Sequence, residues 1–128
     1  MVRMIAISIV MLLPLSASSG YINNYGQWNS LAQNRKSAYA MAVWDYYSVV
    51  LSSTATPEEI TNREATIDCF RSASLNSEQL AALIDMRYQQ NAAHWAMPPI
   101  VMLLGGFFEM CKPMINQRRI ELGYGPIK

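Results

Sequence analysis

Residues 69–111 decide the fold of this chain, and they read CFRSASLNSEQLAALIDMRYQQNAAHWAMPPIVMLLGGFFEMC. A cysteine stands at each end of the stretch. Between the cysteines lie a polar start followed by apolar residues at helical spacing, a short break, and a run that is apolar nearly all round. No part shows the alternation of apolar and polar residues that is typical of a strand. The stretch therefore predicts two helices bracketed by two cysteines.

Cys69 and Cys111 are the two cysteines of the 128-residue chain. In an exported domain, two cysteines are best explained as one disulfide. Closing a loop between residues 42 positions apart stabilises a fold by about 4 kcal/mol in the chain-entropy model. The alternative, a cysteine nucleophile, would need an activating motif, and none lies near either residue. We expect the bridge to tie the chain before the first helix to the end of the second, which makes them an antiparallel pair.

The first of these two helices has the clearest start in the sequence. Asn76 can cap it, and Gln79 stands where the reciprocal side chain of a capping box belongs. The helix should end near Asn91. The apolar side chains of its expected buried stripe are Leu80, Leu83, Ile84 and Tyr88.

The second helix of the pair starts at Pro98 and Pro99, because proline is tolerated in the first turn of a helix. Residues 100–108 are apolar nearly all round, which predicts a central buried helix. The apolar stretch is too short to span a bilayer, so we expect no membrane contact once the leader described below has been removed. The apolar pattern ends at the second cysteine, and a polar C-terminal tail is expected from about residue 112.

Two further helix starts lie upstream of this pair. Apolar and aromatic residues at helical spacing predict an amphipathic helix over about 30–51. Thr56, Pro57 and Glu59 then supply a capping residue, a first-position proline and a glutamate able to reach back to the cap.

The sequence predicts that the helix after Thr56 is short. Thr61 and Thr66 are weak helix formers, so we expect a short helix followed by irregular chain through Cys69. Together these patterns predict an all-α fold. It is a small bundle of four to five helices stapled by one disulfide, in a single domain over residues 21–128.

Residues 1–20 have the three parts of a secretory signal peptide. Arg3 supplies a positive charge, residues 4–15 form an uncharged apolar core, and residues 16–20 are small. The core is long enough for a signal peptide and too short for a membrane-spanning helix. We expect cleavage near residues 18–20 and export of the mature chain.

The composition argues against nucleic-acid binding driven by charge. The chain is 52% apolar and 15% charged, with a formal net charge of +1. Cleavage of the leader would remove Arg3 and bring that charge to zero. Without a basic excess to neutralise phosphates, we expect no binding to nucleic acid.

No set of residues indicates catalysis or metal binding. His94 is the one histidine, and a zinc site would need further ligands at suitable spacing. The sequence has no G-x-S-x-G elbow, and Gly105-Gly106 lacks the lysine and the spacing of a phosphate loop. We therefore expect no catalytic residues, no metal, no cofactor and no enzymatic activity.

Four side chains are candidate contacts to a partner protein. Trp44 and Tyr47 belong to an aromatic cluster that a single buried helical stripe cannot accommodate, and exposed aromatics are favoured at interfaces. Packing under a loop or under the C-terminal tail is the alternative for these two. His94 and Trp95 lie together in the predicted turn, where packing on their neighbours is the simpler explanation for the histidine.

The order of motifs along the mature chain carries a resemblance to a known family. The matching residues are Trp28, Arg35, the run from Tyr39 to Asp45, Cys69-Phe70, the run from Ser77 to Leu80, Asp85, the run from Tyr88 to Asn91, and the apolar helix ending at Cys111. In this order the chain resembles the Rap/Tai-type immunity proteins of type VI secretion systems. The resemblance covers most of the mature sequence.

The resemblance implies a periplasmic, disulfide-bonded helical domain with an HdeA-like shape. Members of such a family bind and block a secreted cell-wall-degrading effector, here expected to be a peptidoglycan amidase, and are often homodimers. We therefore expect an immunity protein whose partner is its cognate effector. The alternative is a periplasmic acid-stress chaperone of the HdeA type.

Overall fold

A computed structural model describes residues 21–128 of the chain. The signal peptide and its cleavage site, expected within residues 1–20, lie outside the described residues. The helices are α1 (Tyr25–Asn29), α2 (Gln33–Val49), α3 (Pro57–Ala73), α4 (Ser77–Gln90) and α5 (Pro99–Glu121), with a 3-10 helix at Ala92–Ala96. No strand occurs over residues 21–128. The all-α bundle with one disulfide is therefore confirmed.

Short-range capping explains the helix starts that the sequence predicts well. In α4 the Asn76 side chain accepts from the backbone N–H of Gln79 at 2.9 Å, and the Gln79 side chain accepts from the backbone N–H of Asn76 at 2.9 Å. Thr56 and Glu59 make the same pair of bonds at the start of α3. These reciprocal bonds satisfy amides that a helix start would leave unpaired.

Helix α3 continues to Ala73, so the expectation of a short helix followed by irregular chain through the first cysteine is wrong. The Thr61 hydroxyl donates to the Pro57 carbonyl at 2.9 Å, and the Thr66 hydroxyl donates to the Asn62 carbonyl at 2.8 Å. Both threonines are buried. Because their hydroxyls find acceptors one turn back, burial of the helix outweighs their weak helical preference.

Helix α5 continues past Pro113 to Glu121, so the polar tail expected from about residue 112 is helical over most of its length. The exposed Pro113 removes one helical hydrogen bond. Ile115 is fully buried and Arg119 nearly so. The helix continues because these two side chains pack into the bundle one and two turns beyond the second cysteine.

The last residues fold back along α5 instead of extending into solvent. The Arg119 guanidinium donates to the Gly125 carbonyl at 2.7 Å and pairs with the Glu58 carboxylate on α3. The Asn116 side-chain oxygen accepts from the backbone N–H of Ile127 at 2.7 Å. Ile127 is partly buried against the core.

Helix α5 is the central element of the bundle, because it packs on both α3 and α4, while α2 packs on α4. The disulfide joins Cys69 to Cys111, with the two Cα atoms 5.8 Å apart. Since Cys69 lies inside α3, the bridge pins α3 to α5 and not, as expected, α4 to α5. Asn62 contacts Arg119 farther along the same pair, so α3 and α5 run antiparallel. The largest fully buried side chains are Trp28, Leu80, Ile84, Tyr88, Met102, Leu103, Phe107 and Ile115.

Candidate interaction surface

An aromatic cluster joins α2, α3 and α5 beneath the surface of the bundle. Phe107 lies 4.1 Å from Phe70, 5.5 Å from Trp44 and 5.7 Å from Tyr47, measured between ring centroids. Trp44 also lies 5.2 Å from Phe70. Edge-to-face and tilted pairs at these distances are favourable, so the cluster fixes the C-terminal half of α2 against α5.

Beyond this cluster, the end of α2 exposes apolar side chains. We define the α2-end patch as Tyr46, Val49, Val50 and Leu51. Tyr46 is 62% exposed and Val49 is 78% exposed. The apolar side chains of α2 are thus buried at Val43 but exposed to solvent one to two turns later. A run of exposed apolar residues is unusual on a monomeric protein and is typical of a contact surface.

A groove of about 470 Å³ lies on one side of the α2-end patch. We call it the Arg63 groove. Phe107 and Tyr47 of the aromatic cluster line it, and so do side chains of α3. Arg63 Nε donates to the Tyr47 carbonyl at 2.9 Å, and the guanidinium carbon lies 5.8 Å from the Tyr47 ring centroid. The aromatic, aliphatic and cationic side chains that line it include Tyr47, Val50, Arg63, Leu104, Phe107 and Phe108.

Glu59 also lines this groove, but its carboxylate is already hydrogen-bonded in the capping box of α3. It accepts from the backbone N–H of Thr56 at 2.7 Å. That bond, together with one from the Thr56 side chain, holds the pKa of Glu59 below its usual value. Glu59 therefore stays ionised at the rim of the groove.

A second groove of about 530 Å³ lies on the other side of Tyr46. Tyr39 and Ile100 contribute to its walls, with Ile22 and Pro98. Burial raises the pKa of the Tyr39 hydroxyl, and a hydrogen bond with the Ile100 backbone opposes that shift to a smaller extent. Tyr46 thus stands between two open apolar grooves, which gives a partner two places to insert side chains.

The four candidate contact residues fall into two separate clusters. Trp44 and Tyr47 are half-buried in the aromatic cluster, where Tyr47 still reaches the Arg63 groove. His94 Nδ1 lies 3.1 Å from the Arg87 carbonyl. Trp95 is 51% exposed; it stacks on Tyr25 at 5.3 Å, and its indole N–H donates to the Tyr88 carbonyl at 3.0 Å. The structure does not bring the two pairs together, and their role as partner contacts stays a prediction.

A partly buried polar cluster joins α1, α2 and α4, and the sequence did not predict it. Asp85 Oδ1 accepts from the Trp28 indole N–H at 2.7 Å and from Lys36 Nζ at 3.0 Å. Lys36 also lies 5.3 Å from the Trp28 ring centroid. Three groups from three helices satisfy one another here, and the spacing of 28, 36 and 85 along the chain offers no signal that they meet.

Over residues 21–128, no group of three or more His, Cys, Asp and Glu side chains is placed to hold a metal ion. Within the same range no helix combines the length and the apolar character that crossing a membrane requires. Comparison with protein-family models, with curated proteins and with solved structures finds no match to this chain.

Proposed function

We propose that this protein is a periplasmic immunity protein that binds and inhibits a secreted cell-wall-degrading effector, a peptidoglycan amidase. The resemblance to the Rap/Tai-type immunity proteins supplies the class of partner. The observation that carries the proposal is the α2-end patch, whose apolar side chains are exposed between two open grooves.

The patch has the features of an interface centre. Tyr46 offers a large side chain with few rotatable bonds, and Val49, Val50 and Leu51 extend the apolar area around it. Asp45 and Ser48 are polar neighbours on the same helix. With a formal charge near zero, the protein selects its partner by shape and apolar contact more than by long-range attraction.

The proposal is tested by mixing the purified protein with a secreted peptidoglycan amidase from the same organism. We expect a stable complex and loss of peptidoglycan hydrolysis. Val49→Asp should weaken binding at least about tenfold, because it places a charge at the centre of an apolar contact. Ile120→Asp is the matched control, since Ile120 is 61% exposed on α5 outside the patch; it should bind like the unchanged protein.

Protection of cells provides the second measurement. A strain susceptible to the effector should survive when the protein is expressed in its periplasm, and the Val49→Asp variant should protect less. Full hydrolase activity in the presence of excess protein, or no protection, would overturn the proposal. Equal binding by the Val49→Asp and Ile120→Asp variants would show that the partner contacts another surface. Sedimentation of the protein alone shows whether it forms a homodimer, and the Val49→Asp variant shows whether that dimer uses the patch.

One observation favours the second candidate, an acid-stress chaperone. Each of the three ion pairs found over residues 21–128 joins two different helices: Lys36–Asp85, Arg118–Asp68 and Arg119–Glu58. A chaperone of this class would release contacts between helices in acid and expose apolar surface. Failure to suppress aggregation of client proteins at low pH would exclude this function.

A further inference from the structure

We propose that the Arg63 groove binds a monocarboxylic acid with an apolar body, and that Arg63 holds its carboxylate. This ligand site goes beyond the proposed inhibition of a hydrolase and does not depend on it. Three features of the groove carry the inference: its size, its apolar walls and its single cation.

The size and the walls fit a small amphipathic molecule. The groove measures about 470 Å³, within the roughly 300–1,000 Å³ that is usual for small-molecule sites. Leu104, Phe107 and Phe108 from α5 and Val50 and Leu51 from the end of α2 supply apolar surface. An aliphatic or aromatic body would therefore lie against α5 and leave water.

The cation of the groove lacks an anionic partner. Arg63 Nε is bonded to the Tyr47 carbonyl, but Nη2 is buried and has no acceptor among residues 21–128. No carboxylate in that range lies within ion-pair distance of the Arg63 guanidinium. A buried charged donor without an acceptor is costly to the folded protein. A carboxylate bound in the groove beside this half-buried guanidinium would supply the missing charge.

Three other polar groups along the walls already have partners. The Thr66 hydroxyl donates to the Asn62 carbonyl, and the Asn62 side-chain oxygen accepts from Arg119 Nη1 at 3.1 Å. The Glu59 carboxylate is held by Thr56. Among residues 21–128, Arg63 is the one cationic side chain that lines the groove, and Glu59 adds a negative charge at its rim. The site therefore favours a single negative charge over a doubly charged phosphate.

Isothermal titration of the purified, oxidised protein with decanoate and with decanol tests the proposal. The two probes share an apolar body and differ in the carboxylate. We expect saturable binding of one decanoate per protein and at least about tenfold weaker binding of decanol.

Substitutions of Arg63 provide the second part of the titration experiment. Arg63→Gln should lower the affinity for decanoate at least about tenfold and leave that for decanol unchanged, while Arg63→Lys, which keeps the charge, should fall between. Arg71→Gln is the matched control, because Arg71 is exposed on the same helix and does not line the groove. Circular dichroism confirms that each variant folds.

Each remaining outcome overturns the proposal. Equal affinity for decanoate and decanol would show an apolar groove without a role for Arg63. An unchanged affinity of the Arg63→Gln variant, or no saturable binding, would remove the site. Inhibition of the hydrolase is measured separately, so loss of decanoate binding with inhibition intact separates this inference from the proposed function.

Discussion

At the scale of single residues, side chains that connect two or more helices are expected to have the largest effect on the stability of the fold. Asp85 is the acceptor for both Trp28 and Lys36, and Lys36 is almost fully buried. Removing one partner of a buried pair leaves the other charge uncompensated, which is more damaging than losing an exposed ion pair. Asp85 is therefore the polar link of the α1–α2–α4 contact, beside the apolar side chains that these helices bury.

The Asp85→Ala substitution should lower the free energy of unfolding by about 1–3 kcal/mol, because it leaves the Lys36 charge and the Trp28 indole N–H without an acceptor. Asp85→Asn should cost less, since its amide oxygen can still accept from Trp28. Urea denaturation followed by circular dichroism measures both. Asp45→Ala, at an exposed position on α2, should change stability by less than about 0.5 kcal/mol. Similar losses for Asp85→Ala and Asp45→Ala would contradict the role of the buried cluster.

Tyr88 makes stability depend on alkaline pH. Its hydroxyl donates to the Met97 carbonyl at 2.7 Å, and burial raises its pKa from 10.0 to about 12, with a smaller contribution from Tyr39. The folded protein keeps this proton at a pH where the unfolded chain loses it. The contribution to stability is therefore complete below pH 10 and is lost as the pH rises from 10 to about 12.

Tyrosinate absorbance during an alkaline titration checks this expectation. One tyrosine should ionise late, near pH 12, and the step should be absent from the Tyr88→Phe variant. Tyr21→Phe is the control, because Tyr21 is exposed and its removal should leave the late step unchanged. Ionisation of every tyrosine near pH 10 would show that the Tyr88 hydroxyl is accessible to water.

At the scale of the helices, two adjacent glycines of α5 differ in how closely α4 approaches them. A Cβ on Gly106 would lie 2.9 Å from Leu83 Cγ and Cδ2, whereas a Cβ on Gly105 would meet only the flexible end of Arg87, at 3.0 Å. The close contact of α4 and α5 therefore requires glycine at position 106 and tolerates a methyl group at position 105.

Gly105→Ala and Gly106→Ala form a matched pair of substitutions, because alanine improves helix propensity equally at both, by about 1 kcal/mol. The Gly106→Ala variant should nevertheless be less stable than the Gly105→Ala variant by about 1–3 kcal/mol, the usual cost of overpacking. Urea denaturation measures the difference. Adding Leu83→Ala to Gly106→Ala should reduce the cost of the added methyl group. Equal stability of the two single variants would show that α4 moves away freely.

The helices show how much of the fold the sequence can predict. The start of α4 was predictable because Asn76 and Gln79 cap each other over three residues. The length of α3 was not, because Thr61 and Thr66 are stabilised by burial against distant helices, which local preference cannot report. The end of α5 depends in the same way on Ile115 and Arg119 packing into the bundle.

The candidate surface was predictable only in part, for a related reason. The aromatic run around Trp44 and Tyr47 marked the C-terminal half of α2, because one helical stripe cannot bury all of it. Arg63 gave no signal, since an arginine in a polar helix is ordinary until its neighbours are known. Its place in the groove depends on the Tyr47 carbonyl, which lies on another helix.

For the molecule as a whole, the disulfide is the strongest single constraint. Cys69 and Cys111 close a loop of 42 positions, and Cys111 is almost fully buried. The Cys69→Ser/Cys111→Ser variant should lose about 4 kcal/mol of unfolding free energy, a large part of the roughly 5–15 kcal/mol usual for a domain. Urea denaturation of the oxidised protein and the variant measures the loss. Reductant should not change the stability of the variant, and a variant as stable as the oxidised protein would contradict the expectation.

The position of the bridge also divides the molecule into a covalent ring and a detachable part. The ring contains the last residues of α3, then α4, the 3-10 helix and the first half of α5. Most of α3 lies outside the ring, and so do α1 and α2, which are held by packing and by Asp85. The oxidised chain can therefore release α2 without opening the ring. In native-state hydrogen exchange, amides in the middle of α2 should lose their protection before those of α4. The segment that the disulfide constrains, residues 69–111, is therefore shorter than the domain that the helices form.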